Sequence, residues 1–189
     1  TPRKLGGCER LDERVEVEFG SGTIEGTFCK DDVTVGPITL KSQEFGEIEK
    51  EEGSIFSKLK FAGILGLSFP SLSNLEYVPL FDNIIKNGLL NNNWFSFYLT
   101  EKEVDNKSSE LIFGEPSKEY YMGELIWFPV DDPAYWQISM DDIYINDVPL
   151  NICSQNANKK CKLVIDTGTS IITAPSQDIY TLLEKIPFK

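Results

Sequence analysis

One carboxylate in this chain stands in a setting suited to chemistry. Asp166 lies at the tip of residues 163–172, where one apolar run leads into Asp166-Thr167-Gly168 and a second apolar run leaves it. Thr167 can hydrogen-bond locally, and Gly168 permits a backbone geometry that other residues resist. Such a turn favours a carboxylate with a chemical task over an ordinary surface Asp, and the sequence contains only one turn of this kind.

The composition removes several classes of enzyme. There is no histidine among the 189 residues, so neither a Ser-His-Asp or Cys-His catalytic set nor a His-based metal site can be built from this chain. No cofactor is expected. The glycines near residue 20 do not have G-x-G-x-x-G spacing and no helix pattern follows them, which argues against a dinucleotide site.

The charge balance limits the partners. With 18 basic and 30 acidic residues, the formal net charge is −12, which disfavours nucleic acid and anionic membranes. The acidity fits work at low pH, and it fits equally well a surface that only keeps the protein soluble. No apolar run is long enough to span a membrane. The first residues lack a charged-then-apolar leader, which fits a processed chain as well as a cytosolic one.

The four cysteines have no C-x-x-C spacing, which disfavours a zinc ribbon or a thioredoxin motif. Cys153 and Cys161 flank a short polar loop and are predicted to form a disulfide, hence an oxidising compartment; two buried free thiols are the alternative. Asn106 begins an N-x-S glycosylation sequon, a tripeptide that also occurs by chance.

The periodicity predicts a mainly β protein with two short helices. Val15, Val17 and Phe19 alternate with glutamates and begin a β-hairpin whose turn is Gly20-Ser21-Gly22. Further strands are predicted at residues 33–40 (a pair turning at Gly36-Pro37), 61–67, 94–99, 110–113, 124–130, 136–140 and 143–145. Helices are predicted at residues 79–87 and from Pro175 onward.

These motifs together resemble the pepsin-like aspartic proteases. Asp166-Thr167-Gly168-Thr169-Ser170 is similar to the second active-site signature of that family, and Phe19-Gly20-Ser21-Gly22 is similar to its flap. In the order expected for the family, the chain also has Phe61-Ala62-Gly63-Ile64-Leu65-Gly66-Leu67, Pro79-Leu80-Phe81-Asp82-Asn83, Phe95-Ser96-Phe97-Tyr98-Leu99 and Tyr135-Trp136-Gln137-Ile138. The asparagine- and lysine-rich loops and the flap phenylalanine favour a plasmepsin-like, apicomplexan or cathepsin D-like member.

The resemblance implies the central part of a bilobal acid-protease fold. Residues 1–117 are then part of the N-terminal lobe with the flap hairpin, and residues 118–189 are the first part of the C-terminal lobe with the second catalytic turn. The first D-T-G turn and the end of the C-terminal lobe fall outside residues 1–189, so they come from a missing segment or from other chains of the same processed enzyme. The expected location is the secretory pathway, an acidic vesicle or the extracellular space.

The resemblance also assigns roles to single residues. Asp166 is one member of a catalytic pair of aspartates, and Thr167 anchors its turn. Ser170 is expected to hydrogen-bond the Asp166 carboxylate, and Thr169 to bind substrate backbone. The expected peptide-binding residues are Phe19, Gly20, Ser21, Phe61, Ile64, Tyr135, Gly168, Thr169 and Ser170. Plain core packing is the alternative for Phe61 and Ile64, and strand packing for Tyr135.

Two departures from the family pattern leave a second function open. Phe19 replaces the flap tyrosine and Ala62 replaces an aspartate beside the glycines, so an inactive homologue that binds peptides without cutting them is the alternative to an endopeptidase. Cys8 and Cys29 flank the flap hairpin and are expected to pair across its base. Pairing with a cysteine outside this chain is the other possibility.

Overall fold

The computed structural model describes residues 7–19, 22–53, 61–73, 77–100 and 108–186. The predicted flap residues Gly20 and Ser21 and the sequon residue Asn106 lie outside these ranges. Two compact units are present, one made of residues 1–67 and 75–123 and the other of residues 68–74 and 124–189; the assignment of residues 1–117 and 118–189 to two lobes stays a prediction. No described helix is long and apolar enough to cross a membrane.

A three-stranded antiparallel sheet dominates the first unit. Its strands pair in the order β1 (Glu9–Phe19), β2 (Gly22–Val35) and β3 (Ile38–Glu52). The predicted flap hairpin is present, because β1 and β2 pair up to Phe19 and Gly22. The predicted turn at Gly36-Pro37 joins β2 to β3, with Thr34 opposite Thr39.

Gly26 lies where the backbones of β2 and β3 come close together. The ladder between these strands shifts register between Glu25 and Gly26, and Gly26 is buried. A Cβ at this position would lie 2.8 Å from the backbone carbon of Glu47 and 3.0 Å from the Cα of Ile48. Only glycine fits such an approach, so the hairpin geometry depends on this position.

The core of the first unit forms where the helix α1 (Leu80–Lys86) packs on the sheet. The helix is the one predicted from its apolar face, and Pro79 precedes its first turn. Leu40 of β3 packs with Leu80 and Ile84, whose exposed fractions are at most 8%. Phe81 extends this core through ring contacts with Phe95 and Phe113, which lie in β4 (Phe95–Tyr98) and β5 (Glu110–Phe113), an antiparallel pair.

Gln43 connects β3 to α1 with its polar groups fully used. Its side chain is only 3% exposed, and its Nε2 donates to the carbonyls of Glu44 at 2.8 Å and Val78 at 3.0 Å. Its Oε1 accepts a hydrogen bond of 2.9 Å from Nδ2 of Asn83. A buried amide with all these partners holds the helix in one position against the sheet.

The described part of the second unit contains two short β-ribbons, one α-helix and the 3-10 turns Pro70–Leu72 and Cys153–Gln155. The strand β6 (Gln137–Met140) pairs antiparallel with β9 (Cys161–Val164), and β7 (Tyr144–Ile145) pairs with β8 (Val148–Pro149). The turn between β7 and β8 is the predicted Asn146-Asp147, and both residues have positive φ, as this tight turn requires. The helix α2 (Ser176–Leu183) follows Pro175 as expected.

Two of the predicted strands are not formed. Residues 61–67 and 124–130 have no strand assignment, and most of their side chains are exposed. An apolar run alone does not make a strand, because a strand also needs a neighbour for its N–H and C=O groups. Neither segment pairs in a ladder with another described part of the chain, so apolar character alone overpredicted these strands.

Candidate functional site

The Asp166 turn begins directly beyond the β6–β9 ribbon. Gln137 pairs with Val164 at the end of this ladder. One residue further, the N–H of Ile165 donates to the carbonyl of Trp136 at 3.0 Å. These backbone bonds fix the chain immediately before Asp166, so the carboxylate leaves the sheet at a defined point.

Both oxygens of the Asp166 carboxylate are hydrogen-bonded within the turn. The N–H of Gly168 donates to Oδ1 at 2.8 Å, and the hydroxyl of Thr169 donates to Oδ2 at 2.5 Å. The N–H of Thr169 also donates to the Asp166 carbonyl at 3.4 Å, which closes the turn. The carboxylate is therefore held in a single orientation by groups within three residues of it.

Gly168 is required by the position of the carboxylate. A Cβ on Gly168 would lie 3.1 Å from Oδ1 of Asp166, which is tighter than an ordinary van der Waals contact. Any other residue would push the carboxylate away or lengthen the bond that the Gly168 N–H donates. The glycine of the D-T-G sequence is thus explained by the lack of space for a side chain beside the carboxylate.

The hydroxyl that contacts Asp166 differs from the one expected. Ser170 was expected to donate to the carboxylate, but the structure gives this contact to Thr169. The turn is closed between residues 166 and 169 and brings the side chain at the third position over the carboxylate, as in local Asx and Ser/Thr turns. The spacing of three residues could have indicated this bond. Substrate contacts of Thr169 and Ser170 stay a prediction.

The apolar runs on either side of the turn are exposed in the described residues. Val164 and Ile165 are 44% and 56% exposed before the turn, and Ile171 and Ile172 are 72% and 79% exposed after it. Soluble proteins rarely leave a contiguous apolar surface of this kind uncovered.

Among the described residues, no hydrogen bond joins Asp166 to a second carboxylate.

The predicted flap hairpin carries its two faces as expected. Val15, Val17 and Phe19 project from one face of β1, while Glu16 and Glu18 project from the other. Phe19 is half-buried and is the last described residue before the tip. The hairpin therefore presents an aromatic side chain at the base of the predicted flap tip.

The remaining predicted pocket residues are accessible. Phe61 and Ile64 are 54% and 58% exposed, so neither belongs to the described core, and Tyr135 is 48% exposed. Phe19, Phe61 and Ile64 lie in the first unit, whereas Tyr135, Asp166, Thr167, Gly168, Thr169 and Ser170 lie in the second. Within the second unit, the structure brings together Asp166, Gly168 and Thr169; the peptide-binding roles of the others stay predictions.

Both disulfides are formed in the structure. Cys153 pairs with Cys161 around the polar loop, and Cys8 pairs with Cys29 at the base of the flap hairpin. Glu47 lies against the Cys8–Cys29 bond, a contact that no sequence pattern indicated. Cys8, Cys29 and Glu47 are also the described residues whose ligand atoms are close enough to hold one metal ion.

The fold and the site together define the class of this protein. A mainly β chain whose Asp-Thr-Gly turn holds an oriented carboxylate matches the family description "Eukaryotic aspartyl protease" over residues 2–188. The chain belongs to this family of pepsin-like aspartic proteases, and the expected fold class is confirmed.

Individual relatives place the chain within the family. It is 39% identical over 180 residues to Aspartic protease 3 of Toxoplasma gondii, which covers 93% of this chain and 27% of the relative. It is 36% identical to Cathepsin D of Gallus gallus over 92% of this chain and 42% of the relative. Cathepsin E of Mus musculus is 39% identical over 90% and 42%. The chain thus spans between about a quarter and two fifths of these relatives.

Proposed function

We propose that this chain is part of an aspartic endopeptidase and that Asp166 is one of its two catalytic carboxylates. The observation that carries the proposal is the Asp166 turn, in which two donors from Gly168 and Thr169 orient the carboxylate. The partner carboxylate comes from outside residues 1–189, in a further segment or in another chain of the processed enzyme. No second Asp-Thr-Gly is present in this sequence.

Peptide hydrolysis by such a pair needs neither metal nor a covalent nucleophile. Two carboxylates close together cannot both ionise cheaply, so they share one proton. The ionised member takes a proton from water as the water oxygen attacks the scissile carbonyl carbon. The protonated member gives its proton to the carbonyl oxygen. Proton return to the leaving amine then breaks the C–N bond.

The fixed orientation of Asp166 is what this reaction demands of the present chain. General acid–base catalysis requires hydrogen-bond reach to the attacking water, and misplacement of about 1 Å can cost about 100-fold in rate. Because both oxygens accept bonds from the turn, the side chain cannot rotate freely. The turn thereby preorganises the carboxylate without any contribution from more distant residues.

The proposed substrate is an extended peptide bound beneath the flap hairpin. Backbone groups of Gly20, Ser21 and Gly168 bind the peptide main chain as in strand addition. Phe19, in place of tyrosine, closes the flap by apolar packing. Phe61, Ile64 and Tyr135 line side-chain pockets, and their exposure leaves them available for this role. Closure of the hairpin excludes water from the reacting bond.

The proposed compartment is the secretory pathway. Two disulfides are formed, and such bonds persist in oxidising compartments. A net charge of −12 is reduced by protonation of carboxylates in an acidic vesicle. Glycosylation of Asn106 belongs to the same proposal.

The experiment compares Asp166→Asn with the matched variant Asp147→Asn in the full-length protein. Asn keeps the shape of the turn but cannot accept the proton, so peptide cleavage at acid pH is expected to fall by at least about 1,000-fold, or about 4.1 kcal/mol in activation free energy. Asp147 lies in the β7–β8 turn with φ 63°, which Asn also adopts, so its variant is expected to retain activity.

Two further measurements separate an enzyme from the inactive peptide-binding homologue that Phe19 and Ala62 leave open. A pepstatin-type transition-state mimic is expected to abolish cleavage. N-terminal sequencing of the purified species is expected to find a second Asp-Thr-Gly or Asp-Ser-Gly turn in the material that accompanies this segment. Full binding of substrate peptides without any cleavage by the unmodified protein would refute the proposed activity.

A further inference from the structure

Three potential metal ligands, one in β2, one in β3 and one immediately before β1, meet at the base of the flap hairpin. Cys8 immediately precedes β1, Cys29 lies in β2 and Glu47 lies in β3. Oε2 of Glu47 lies 3.5 Å from Sγ of Cys29 and 3.7 Å from Sγ of Cys8. Cys29 is fully buried, and Cys8 and Glu47 are partly buried. We call these residues the Cys8–Cys29–Glu47 cluster.

The register of the sheet creates this cluster. Arg10 stands opposite Cys29 in the β1–β2 ladder, and Thr27 stands opposite Glu47 in the β2–β3 ladder. The two cysteines are 21 residues apart in sequence, and Glu47 is 39 residues from Cys8. The paired strands fix Cys29 and Glu47, and Cys8 lies one residue before Glu9, which pairs with Lys30 at the start of the β1–β2 ladder.

We propose that reduction of the Cys8–Cys29 disulfide converts the cluster into a binding site for one Zn²⁺ ion. An external phosphine or dithiol supplies two electrons and is itself oxidised, and two protons complete the two thiols. Zn²⁺ then forms bonds to both sulfurs and to the Glu47 carboxylate, and the two thiol protons pass to solvent. A water molecule takes the fourth position.

The distances match a tetrahedral zinc site. Zn–S bonds of about 2.3 Å and Zn–O bonds of about 2.1 Å at a tetrahedral angle place a sulfur and an oxygen ligand about 3.6 Å apart. The two sulfur–oxygen distances, 3.5 and 3.7 Å, already have this length. The sulfur–sulfur distance must lengthen to about 3.8 Å, which breaking the covalent bond allows. The ligands therefore need little backbone movement.

The charges of Arg10 and the cluster sum to zero in the oxidised form and in the zinc-bound form. Nη2 of Arg10 lies 3.2 Å from the same Oε2 of Glu47 and 2.9 Å from Oε1 of Glu49. In the oxidised cluster, Arg10 offsets the single charge of Glu47. In the zinc form, two thiolates and one carboxylate meet Zn²⁺ and Arg10, again with no net charge. When Glu47 binds the metal, Arg10 loses its contact with Oε2 of Glu47 and keeps its ion pair with Glu49.

The metal would take over the structural task of the disulfide. The covalent bond links only β1 and β2, whereas a metal ligated by Glu47 also links β3. The base of the flap hairpin would therefore stay closed under reducing conditions when Zn²⁺ is present. The Cys153–Cys161 disulfide offers an internal comparison, because in the described part of the chain its sulfurs are contacted by the neutral amide of Asn156, 3.7 Å from Cys161, and by no carboxylate.

The test titrates the reduced full-length protein with Cd²⁺, whose thiolate complexes absorb in the ultraviolet. A Cys153→Ser/Cys161→Ser variant retains the cluster, and a Cys8→Ser/Cys29→Ser variant retains the other pair. The first variant is expected to bind Cd²⁺ at least about tenfold more tightly than the second. Glu47→Gln in the first variant is expected to weaken binding by about tenfold, because a carboxylate ligand is replaced by a neutral amide.

The same titrations in denaturant guard against binding by an unfolded chain. The difference between the two cysteine pairs and the effect of Glu47→Gln are both expected to vanish when the strands separate. Equal affinity of the two pairs in the folded protein, or no effect of Glu47→Gln, would overturn the proposal. So would a difference that persists unchanged in denaturant, because the sheet would then not be its cause.

Discussion

The strongest structural prediction concerns Gly26, where β2 and β3 approach each other. Gly26→Ala adds a single methyl group to a buried position whose nearest neighbours are backbone atoms of β3. Backbone cannot rotate away as a side chain can. The substitution must therefore separate the two strands at the base of the predicted flap or distort β2 itself.

The cost follows from the distances. The methyl group would lie 2.8 Å from the backbone carbon of Glu47, and ordinary carbon–carbon contacts are about 3.5 Å or longer. A separation of about 0.7 Å or more lengthens a hydrogen bond of about 2.9 Å beyond the useful range. Two lost ladder bonds at about 1 kcal/mol each, with about 1–3 kcal/mol of overpacking strain, give about 3–5 kcal/mol.

The assay measures both global and local stability of the full-length protein. Denaturant unfolding gives the change in the unfolding free energy, and amide hydrogen exchange reports opening of β2 and β3 directly. Gly46→Ala is a graded comparison, because its methyl group would meet the Val15 side chain at 3.0 Å, and Gly63→Ala is a control with nothing within 4 Å. The expected loss of unfolding free energy is about 3–5 kcal/mol for Gly26→Ala, about 1 kcal/mol for Gly46→Ala and at most about 0.5 kcal/mol for Gly63→Ala. A Gly26→Ala protein as stable as Gly63→Ala would show that the backbone approach at residue 26 does not require glycine.

Three further predictions concern the site, the acidic surface and the core. Gly168→Ala is expected to lower the cleavage rate about 10- to 100-fold with little loss of stability, because its methyl group would lie 3.1 Å from Oδ1 of Asp166; steady-state kinetics and thermal unfolding measure the two effects. Hydrogen bonds from the Lys41 side chain and the Ser42 N–H lower the pKa of Asp32. The contribution of the Asp32 carboxylate to stability is therefore present above about pH 4 and is lost as the pH falls through the folded pKa. Asp32→Asn is expected to make the unfolding free energy less sensitive to pH in that range. Ile84→Ala is expected to cost about 2–5 kcal/mol in denaturant unfolding, because Ile84 is completely buried.

Each of these predictions has its own contrary result. Unchanged kinetics in Gly168→Ala would mean that the turn does not fix the carboxylate. An Asp32→Asn protein whose stability varies with pH as the unmodified protein's does would remove the role of Lys41. A cost below about 1 kcal/mol for Ile84→Ala would show that the core beneath α1 closes over the vacated space.

Local sequence patterns were sufficient to predict one hairpin, one helix and one turn. Alternation from Val15 to Phe19 predicted the first hairpin, and the apolar face after Pro79 predicted α1. Asn146-Asp147 predicted a tight turn because such residues tolerate positive φ. In each case the residues that determine the structure are within a few positions of one another.

Patterns failed where a structure needs a partner that is distant in sequence. Residues 61–67 and 124–130 have the apolar character of strands but no described neighbour in a ladder. Strand formation depends on this pairing, which apolar character alone does not encode. The Ser170 expectation had a different origin, because it came from the family resemblance: the turn closes between residues 166 and 169, and the hydroxyl of Thr169 donates to the carboxylate.

Short contiguous motifs were enough to predict the family, the mainly β class and Asp166 as the candidate catalytic carboxylate. The folded sheet was needed to show why residue 26 must be glycine and that Glu47 meets the Cys8–Cys29 bond. Antiparallel registers bring these atoms together from positions up to 39 residues apart. Such contacts depend on the pairing of whole strands, which no local pattern specifies.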